Sequence, residues 1–345
     1  MKKLMVFAMA AMVALASCSK TELVDNSAPT PISFKAVTGS VTKGAVEPGA
    51  VLSTAAFEYG LGVFASYNNI NGNSTTVTPY FSDAYFEKTT VENKNDAGET
   101  ISTTTTWNGD PERFWPIESS LNFIVYAPFV ASGENNSTNS AASAEVSGTT
   151  LTVEIQDNTD YQYDHMYGYK YYPNCTKANT PETGIGVTLN HALALINIEF
   201  KGSSNVTVDA AKLTNVYMAG SYSVVYNTDG ITTTTITSND WDVTDITPQN
   251  FTIFSNNTTP LSSTTAKGAT FMVVPVKNNN KISFTYKMKG MDSNAAAITK
   301  EIVINENWQP GTQYTYSINI SSNEIKFNPS VTPWPQTINT PTTIK

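Results

Sequence analysis

The chain has 345 residues, a formal net charge of −9 and 14% charged residues, with two cysteines and two histidines. Such an acidic chain offers no basic face to displace counterions from phosphates, so we expect no nucleic-acid partner. The low charge content and the abundance of threonine, tyrosine and asparagine are not typical of exposed amphipathic helices and favour β-sheets.

The N-terminus has the pattern of a bacterial export signal. Lys2 and Lys3 precede an apolar segment, Leu4 to Ala16, that is too short to span a bilayer as a mature helix. Small residues then lead to Cys18, and the order Leu-Ala-Ser-Cys resembles the lipobox, in which the cysteine is acylated. We therefore predict a lipoprotein signal peptide at residues 1–17, with palmitate-type acyl chains on the cysteine as a membrane anchor. The alternative is a secretory signal with a chance cysteine.

A tether, a first strand and a loop follow the cysteine. Residues 18–31 are polar, contain two prolines and show no hydrophobic period, which is typical of a tether. Ile32–Val37 begins with alternating apolar and polar side chains and predicts a β-strand. Glycines and prolines between residues 38 and 49 predict a loop, and Lys43 lies there within Thr-Lys-Gly.

Short strands separated by turn residues continue through the first half. Phe57–Tyr67 alternates apolar residues onto one face, and Tyr80–Glu92 with Thr100–Trp107 predicts a hairpin. Residues 132–147 are small and polar and predict a surface loop. Residues 174–186 contain few apolar side chains, and we place a domain boundary within them.

The second half repeats this pattern. Leu193–Phe200 alternates sharply, and Ile282–Met288 has an apolar face opposite lysines. Many short strands at near-regular spacing are typical of β-sandwiches. The predicted fold is therefore all-β, with two tandem β-sandwich domains at residues 32–180 and 181–345.

No motif for catalysis, metal binding or cofactor binding stands out. His165 and His191 lie in strand-like sequence without a partner at metal-ligand spacing, so we expect structural histidines. Cys175 has no histidine or basic cluster nearby in sequence and is expected to be an inert thiol. Three aspartates within residues 157–164 lack the EF-hand pattern. A solvated loop is the simpler interpretation of them, and metal binding there stays open. We predict a protein that is not an enzyme and has no cofactor.

Several short motifs occur in an order found in one family of surface proteins. The chain resembles the fimbrillins, the type V pilin superfamily of Bacteroidia, in their fimbrillin-like or Mfa-like branch. The segments that carry the resemblance are Ile32–Phe34, Thr42–Gly44, Gly62–Ala65, Trp115–Pro116, Leu121–Pro128, Asp164–Gly168, Leu189–Ala194, Trp308–Tyr314 and Val331–Trp334.

The resemblance implies an outer-membrane lipoprotein precursor with two transthyretin-like β-sandwich domains. It implies that lipoprotein signal peptidase cuts before the acylated Cys18, and that a trypsin-like protease cuts the loop after the first strand. Mapped onto this chain, the cut falls between Lys43 and Gly44. The leaving strand would carry the residues Ile32, Phe34 and Ala36.

The resemblance also implies polymerisation by strand exchange between pilin subunits. An extended C-terminal segment of a neighbouring subunit would fill the vacated groove, so that the product is a fimbria on the cell surface that supports adhesion. The candidate donor here is Asn323–Pro335, with its residues Ile325, Phe327, Val331 and Trp334. Stalk, tip and base subunits all remain open. The alternative is a surface lipoprotein that binds glycans or host ligands and does not polymerise, and an exported enzyme ranks last.

Overall fold

The computed structural model confirms the all-β class. It describes residues 29–35, 60–67, 78–116, 119–129, 139–145, 148–155, 162, 164–175, 180–181, 184–225, 235–291 and 296–334. Among these, no helix is long and apolar enough to cross a lipid bilayer. The described residues form β-strands and a 3-10 helix at Ser238–Asp240.

In the described part of the chain, ten strands precede residue 192. They are β1 (Ser33–Lys35), β2 (Leu61–Tyr67), β3 (Thr78–Lys94), β4 (Thr100–Gly109), β5 (Ser119–Ala127), β6 (Asn139–Glu145), β7 (Gly148–Glu154), β8 (Met166–Cys175), β9 (Ile185–Gly186) and β10 (Leu189–His191).

Ten further strands follow among the described residues. They are β11 (Ala194–Gly202), β12 (Val206–Val216), β13 (Ala219–Val225), β14 (Trp241–Asp242), β15 (Gln249–Phe254), β16 (Lys267–Val273), β17 (Lys281–Met288), β18 (Ile298–Val303), β19 (Thr312–Ile320) and β20 (Ile325–Pro333).

Eight strands form an N-terminal sheet in the order β10-β8-β5-β2-β3-β4-β1-β9. Its end strands, β9 and β10, are separated by residues 187–188 alone. A link of that length spans about 11 Å at most, so the sheet curls until its two ends approach each other. The curled sheet encloses an apolar core, which includes Phe34, Phe86, Trp107, Phe123, Ile185 and Leu189.

The N-terminal sheet runs past the predicted domain boundary at residue 180. Strand β9 pairs in parallel with β1, and β10 pairs with β8 in antiparallel fashion. Both strands belong to the segment predicted as the second domain. Ile185 and Leu189 account for this placement, because they bury apolar side chains in the core of the first sheet.

Two four-stranded sheets form the C-terminal sandwich. Their orders are β16-β11-β19-β20 and β15-β12-β17-β18. Aromatic rings from the two sheets meet between them, with Phe251 stacked on Phe271 at 3.8 Å and Phe200 edge-on to Phe284 at 5.2 Å. This is the face-to-face packing of a β-sandwich.

A further sheet, in the order β14-β13-β7-β6, links the two halves of the chain. Strand β7 pairs with β13 from Gly148↔Val225 to Glu154↔Ala219. The loop predicted at residues 132–147 is partly wrong, since Asn139–Glu145 is strand β6. The segment has no apolar period, and hydrogen bonding to β7 rather than sequence pattern makes it a strand.

Candidate functional site

The first strand lies inside the N-terminal sheet, between two other strands. Strand β1 is antiparallel to β4, with Phe34 opposite Trp107, and parallel to β9, with Phe34 opposite Ile185. Just before it, the Ile32 N–H donates to the Arg113 carbonyl at 2.6 Å. We call this position, between β4 and β9, the β1 slot.

Two side chains of this segment pack against the apolar core beneath the slot. Phe34 is fully buried, and its ring meets Phe86 edge-on at 5.1 Å and Phe123 at 5.6 Å. Ile32 is 1% exposed, whereas Lys35 faces solvent. The strand predicted at Ile32–Val37 is therefore confirmed for its described part, Ser33–Lys35.

A glycine allows β1 to lie close to the neighbouring chain. Gly184 has φ +91°, and a Cβ there would be 3.0 Å from both the Lys35 nitrogen and the Phe34 carbonyl carbon. Few L-residues adopt that backbone conformation, and the neighbouring atoms are backbone that cannot yield easily. A Cβ on Gly186, two residues later, would have open space around it to 4 Å. The close approach of β1 to residue 184 therefore depends on glycine at that position.

Removal of β1 would leave a position that an extended peptide can fill. Without β1, strands β4 and β9 would each expose unpaired backbone groups, which another strand can satisfy. Beneath them lie the buried side chains of Phe86, Trp107 and Phe123. The affinity for such a strand would come from backbone hydrogen bonds to β4 and β9, and the specificity from its side chains that pack against the apolar core.

The predicted donor segment is an edge strand of its own sandwich. Among the described strands, β20 pairs with β19 alone, from Ile320↔Ile325 to Thr312↔Pro333. Ile325 and Phe327 are half-buried, while Val331 is 54% exposed. Prolines within the strand are compatible with an edge, because they lack the N–H that an outer partner would need.

Trp334, the last described residue, ties the end of β20 to the N-terminal sheet. Its indole is 1% exposed and stacks on the His191 ring at 4.5 Å with an interplanar angle of 3°. The Trp334 N–H donates to the Gly311 carbonyl at 3.0 Å. On His191, the Nδ1 atom lies 2.7 Å from Asp164 Oδ2. No sequence pattern indicated this contact, because its members are far apart along the chain.

The other polar candidates lie in buried, unreactive surroundings. Burial lowers the pKa of His165 to about 3, so this histidine is neutral. Burial also raises the pKa of the Cys175 thiol to about 11, which disfavours a reactive thiolate. Within the described part of the chain, no three histidine, cysteine or acidic residues form a metal-binding group.

The predicted site residues therefore fall into three sets. Ile32 and Phe34 occupy the β1 slot, and Ile325, Phe327 and Val331 belong to β20, with Trp334 just after it. Cys18, Ala36, Lys43 and Gly44 lie outside the described residues.

Comparison with known proteins finds one matching family and several similar folds. The model of the Fimbrillin-like family matches residues 51–334. A candidate cell adhesion protein of Bacteroides uniformis is similar in structure, with TM-score 0.50 and 15% identity over 88% of this chain and 98% of that one. This likeness shows the fold alone.

Two further solved structures are similar at lower scores. A fimbrial protein of Bacteroides vulgatus has TM-score 0.48 and 20% identity, over 82% of this chain and 95% of that one. The tip fimbrial protein Mfa3 of Porphyromonas gingivalis, truncated at its C-terminus, has TM-score 0.41 and 10% identity, over 88% and 100%. No curated protein matches the chain.

Proposed function

This chain belongs to the fimbrillin-like family, and from that premise we propose that it is a structural subunit of a type V pilus that supports adhesion. The subunit is exported as an outer-membrane lipoprotein precursor and assembles by protease-triggered strand exchange. Its work is mechanical rather than catalytic, and its principal partners are other pilin subunits.

The observation that carries this proposal is the position of β1. A strand of three residues lies between two others and closes the core with Phe34. The chain leading to it is also the chain that would carry the lipid. A single cut after β1 therefore releases anchor and strand together and opens the slot.

Maturation follows from this arrangement. Lipoprotein signal peptidase cuts before Cys18, and the acylated cysteine holds the precursor in the outer membrane. A trypsin-like protease then cuts between Lys43 and Gly44, in the stretch that separates β1 from β2. The remaining chain leaves the membrane and joins the cell-surface fimbrium.

The incoming strand is the Asn323–Pro335 segment of a neighbouring subunit. In the described sheet, the backbone of β20 is paired along one edge only, so a single ladder has to open, together with the contact between Trp334 and His191, before the segment can leave. Insertion restores two ladders in the acceptor, and this gain drives growth. The N-terminal sheet, which includes β9 and β10, would then act as the acceptor unit, and the C-terminal sandwich would act as the donor unit.

Polymerisation is tested on denaturing gels of surface preparations. We expect a ladder of boiling-resistant oligomers from the wild-type chain and its loss in Lys43→Ala. Lys94→Ala is the matched control, because that lysine is exposed in the β3–β4 hairpin and lies 51 residues after Lys43 in the sequence. A single band that stays with the membrane and shifts in a polysaccharide-containing gel would instead support the glycan-binding alternative.

A further inference from the structure

The segment that occupies the β1 slot, Ile32–Lys35, is similar in sequence to the start of β20. Strand β1 and the residue before it read Ile32-Ser33-Phe34-Lys35, and β20 begins Ile325-Lys326-Phe327-Asn328. Both present isoleucine and phenylalanine on one face, with polar residues on the other, because side chains alternate along a strand. The order is the same from N- to C-terminus, so the two segments match in the same chain direction.

The pattern isoleucine-x-phenylalanine is not rare in this chain, and its location is what distinguishes the β20 copy. It occurs at 32–34, 198–200, 282–284 and 325–327. The copies in β11 and β17 are paired on both sides and buried. Of the four copies, all within described strands or next to one, the β20 copy alone lies in an edge strand, with half-buried Ile325 and Phe327. It can therefore leave by opening one ladder.

We propose that Ile325–Asn328 of a second copy of this chain replaces Ile32–Lys35 in the β1 slot, residue for residue. Ile325 takes the place of Ile32, and Phe327 takes the place of Phe34. This register rests on the proposed function, since it requires that β1 leaves. It adds the alignment of the donor, which strand exchange by itself does not fix.

Steric fit favours this register over its neighbours. Phe34 is fully buried and meets Phe86 and Phe123, so an identical ring leaves neither a cavity nor an overlap. A shift by one residue would turn Lys326 or Asn328 into the core, because successive side chains face opposite sides. A shift by two would put Phe327 at the site of Ile32 or move it beyond Phe34.

The prolines of β20 fit the same alignment. In this register Asn328 takes the place of Lys35, the last paired residue of β1. Pro329 then falls just after the described ladder, where its missing N–H costs no hydrogen bond of that ladder. Lys326 takes the place of Ser33, which is half-buried, so that a flexible lysine stem can carry its charge to water.

Paired cysteines in the full-length chain test the register in surface polymers. In β1, Ser33 is opposite Asn108 and Lys35 is opposite Thr106. The double variant Lys326→Cys with Asn108→Cys should therefore form intermolecular disulfides on a non-reducing gel. The matched control is Lys326→Cys with Thr106→Cys, a shift of two residues. We expect about tenfold more disulfide from the first pair, because opposite Cβ atoms lie about 5 Å apart and diagonal ones about 7 Å.

A third pair separates the register from the donor role itself. Lys326 is opposite Asn319 within its own sheet, and both are exposed. Lys326→Cys with Asn319→Cys should lock β20 in place and block polymerisation until a reductant is added. If the locked chain polymerises, the donor role in the proposed function is wrong.

The remaining outcomes bear on the register alone. Preferred linkage to position 106, or no linkage to either position in polymers that still form, would overturn the residue-for-residue replacement. Both outcomes are compatible with strand exchange by another alignment. Preferred linkage to position 108 supports the replacement.

Discussion

Replacing Phe34 by alanine should weaken the precursor and leave the assembled polymer unaffected. The ring is fully buried and makes two edge-to-face contacts in the N-terminal core. A phenylalanine-to-alanine change in such a core costs about 3–5 kcal/mol of unfolding free energy. In the polymer, however, β1 has left, so residue 34 no longer contributes to the packing.

The matched control is Phe123→Ala. Phe123 is also fully buried, lies in the same core and touches Phe34, but it belongs to β5, which stays in the mature subunit. We expect this change to weaken precursor and polymer alike. Each variant thus removes one of the two phenylalanine rings of the same contact, Phe34 from β1 or Phe123 from β5.

Two measurements read out the difference. Urea unfolding of the precursor, followed by the fluorescence of buried Trp107 and Trp115, reports on this core. A loss of about 4 kcal/mol lowers the midpoint by about 2 M at a typical slope of about 2 kcal/mol per M. The temperature at which purified polymers dissociate in detergent reports on the assembled state. Equal loss of polymer stability in the two variants would refute the release of β1.

Other substitutions test the glycine beside β1, the buried histidine and the tryptophan after β20. Gly184→Ala should destabilise the precursor by about 1–2 kcal/mol in urea unfolding, because of its positive φ and its contact with β1, whereas Gly186→Ala should have a smaller effect. For His165, burial lowers the folded-state pKa to about 3, below the unfolded value of about 6.5, so the unfolded chain binds the proton first as pH falls. Its contribution to stability should be complete above about pH 6.5 and decline toward pH 3, and His165→Phe should flatten urea midpoints between about pH 5 and 6.5. Trp334→Ala should remove the stacking on His191 and increase hydrogen exchange of the β20 amides, while Trp334→Phe should restore part of the protection. Unchanged exchange in the alanine variant would mean that this contact does not hold the strand.

Local patterns in the sequence predicted most strands. The alternation in Leu193–Phe200 appears in the structure as β11, with Ile196, Ile198 and Phe200 buried. The hairpin predicted at Tyr80–Glu92 and Thr100–Trp107 is the β3–β4 pair, slightly longer at its ends. Such segments are predictable because one face of each strand meets a core and the other meets water.

Long-range pairings were not predictable in the same way. Strand β9 pairs with β1 although the two are separated by most of the first half of the sequence. Ile185 comes to lie opposite Phe34 only when the chain folds. The poorly apolar stretch at 174–186 predicted a boundary, yet the sheet continues through it to His191. Strand β6 carries no apolar period at all, since pairing with β7 defines it.

The candidate site was predictable in its parts and not in its assembly. Ile32 and Phe34 were named through the family resemblance as part of a leaving strand, and the structure places both in the core. Their match to Ile325 and Phe327 is visible in sequence, but the pattern occurs elsewhere as well. Only the strand order shows that the β20 copy lies on an edge.

The central claim is that one cut after β1 removes the anchor and the strand together. The mass of the subunit's N-terminal peptide, measured on polymers purified from the cell surface, tests it most directly. If β1 leaves together with the anchor, this peptide begins at Gly44 and carries no lipid. Polymers whose subunits begin at acylated Cys18, and so retain Ile32 and Phe34, would contradict it.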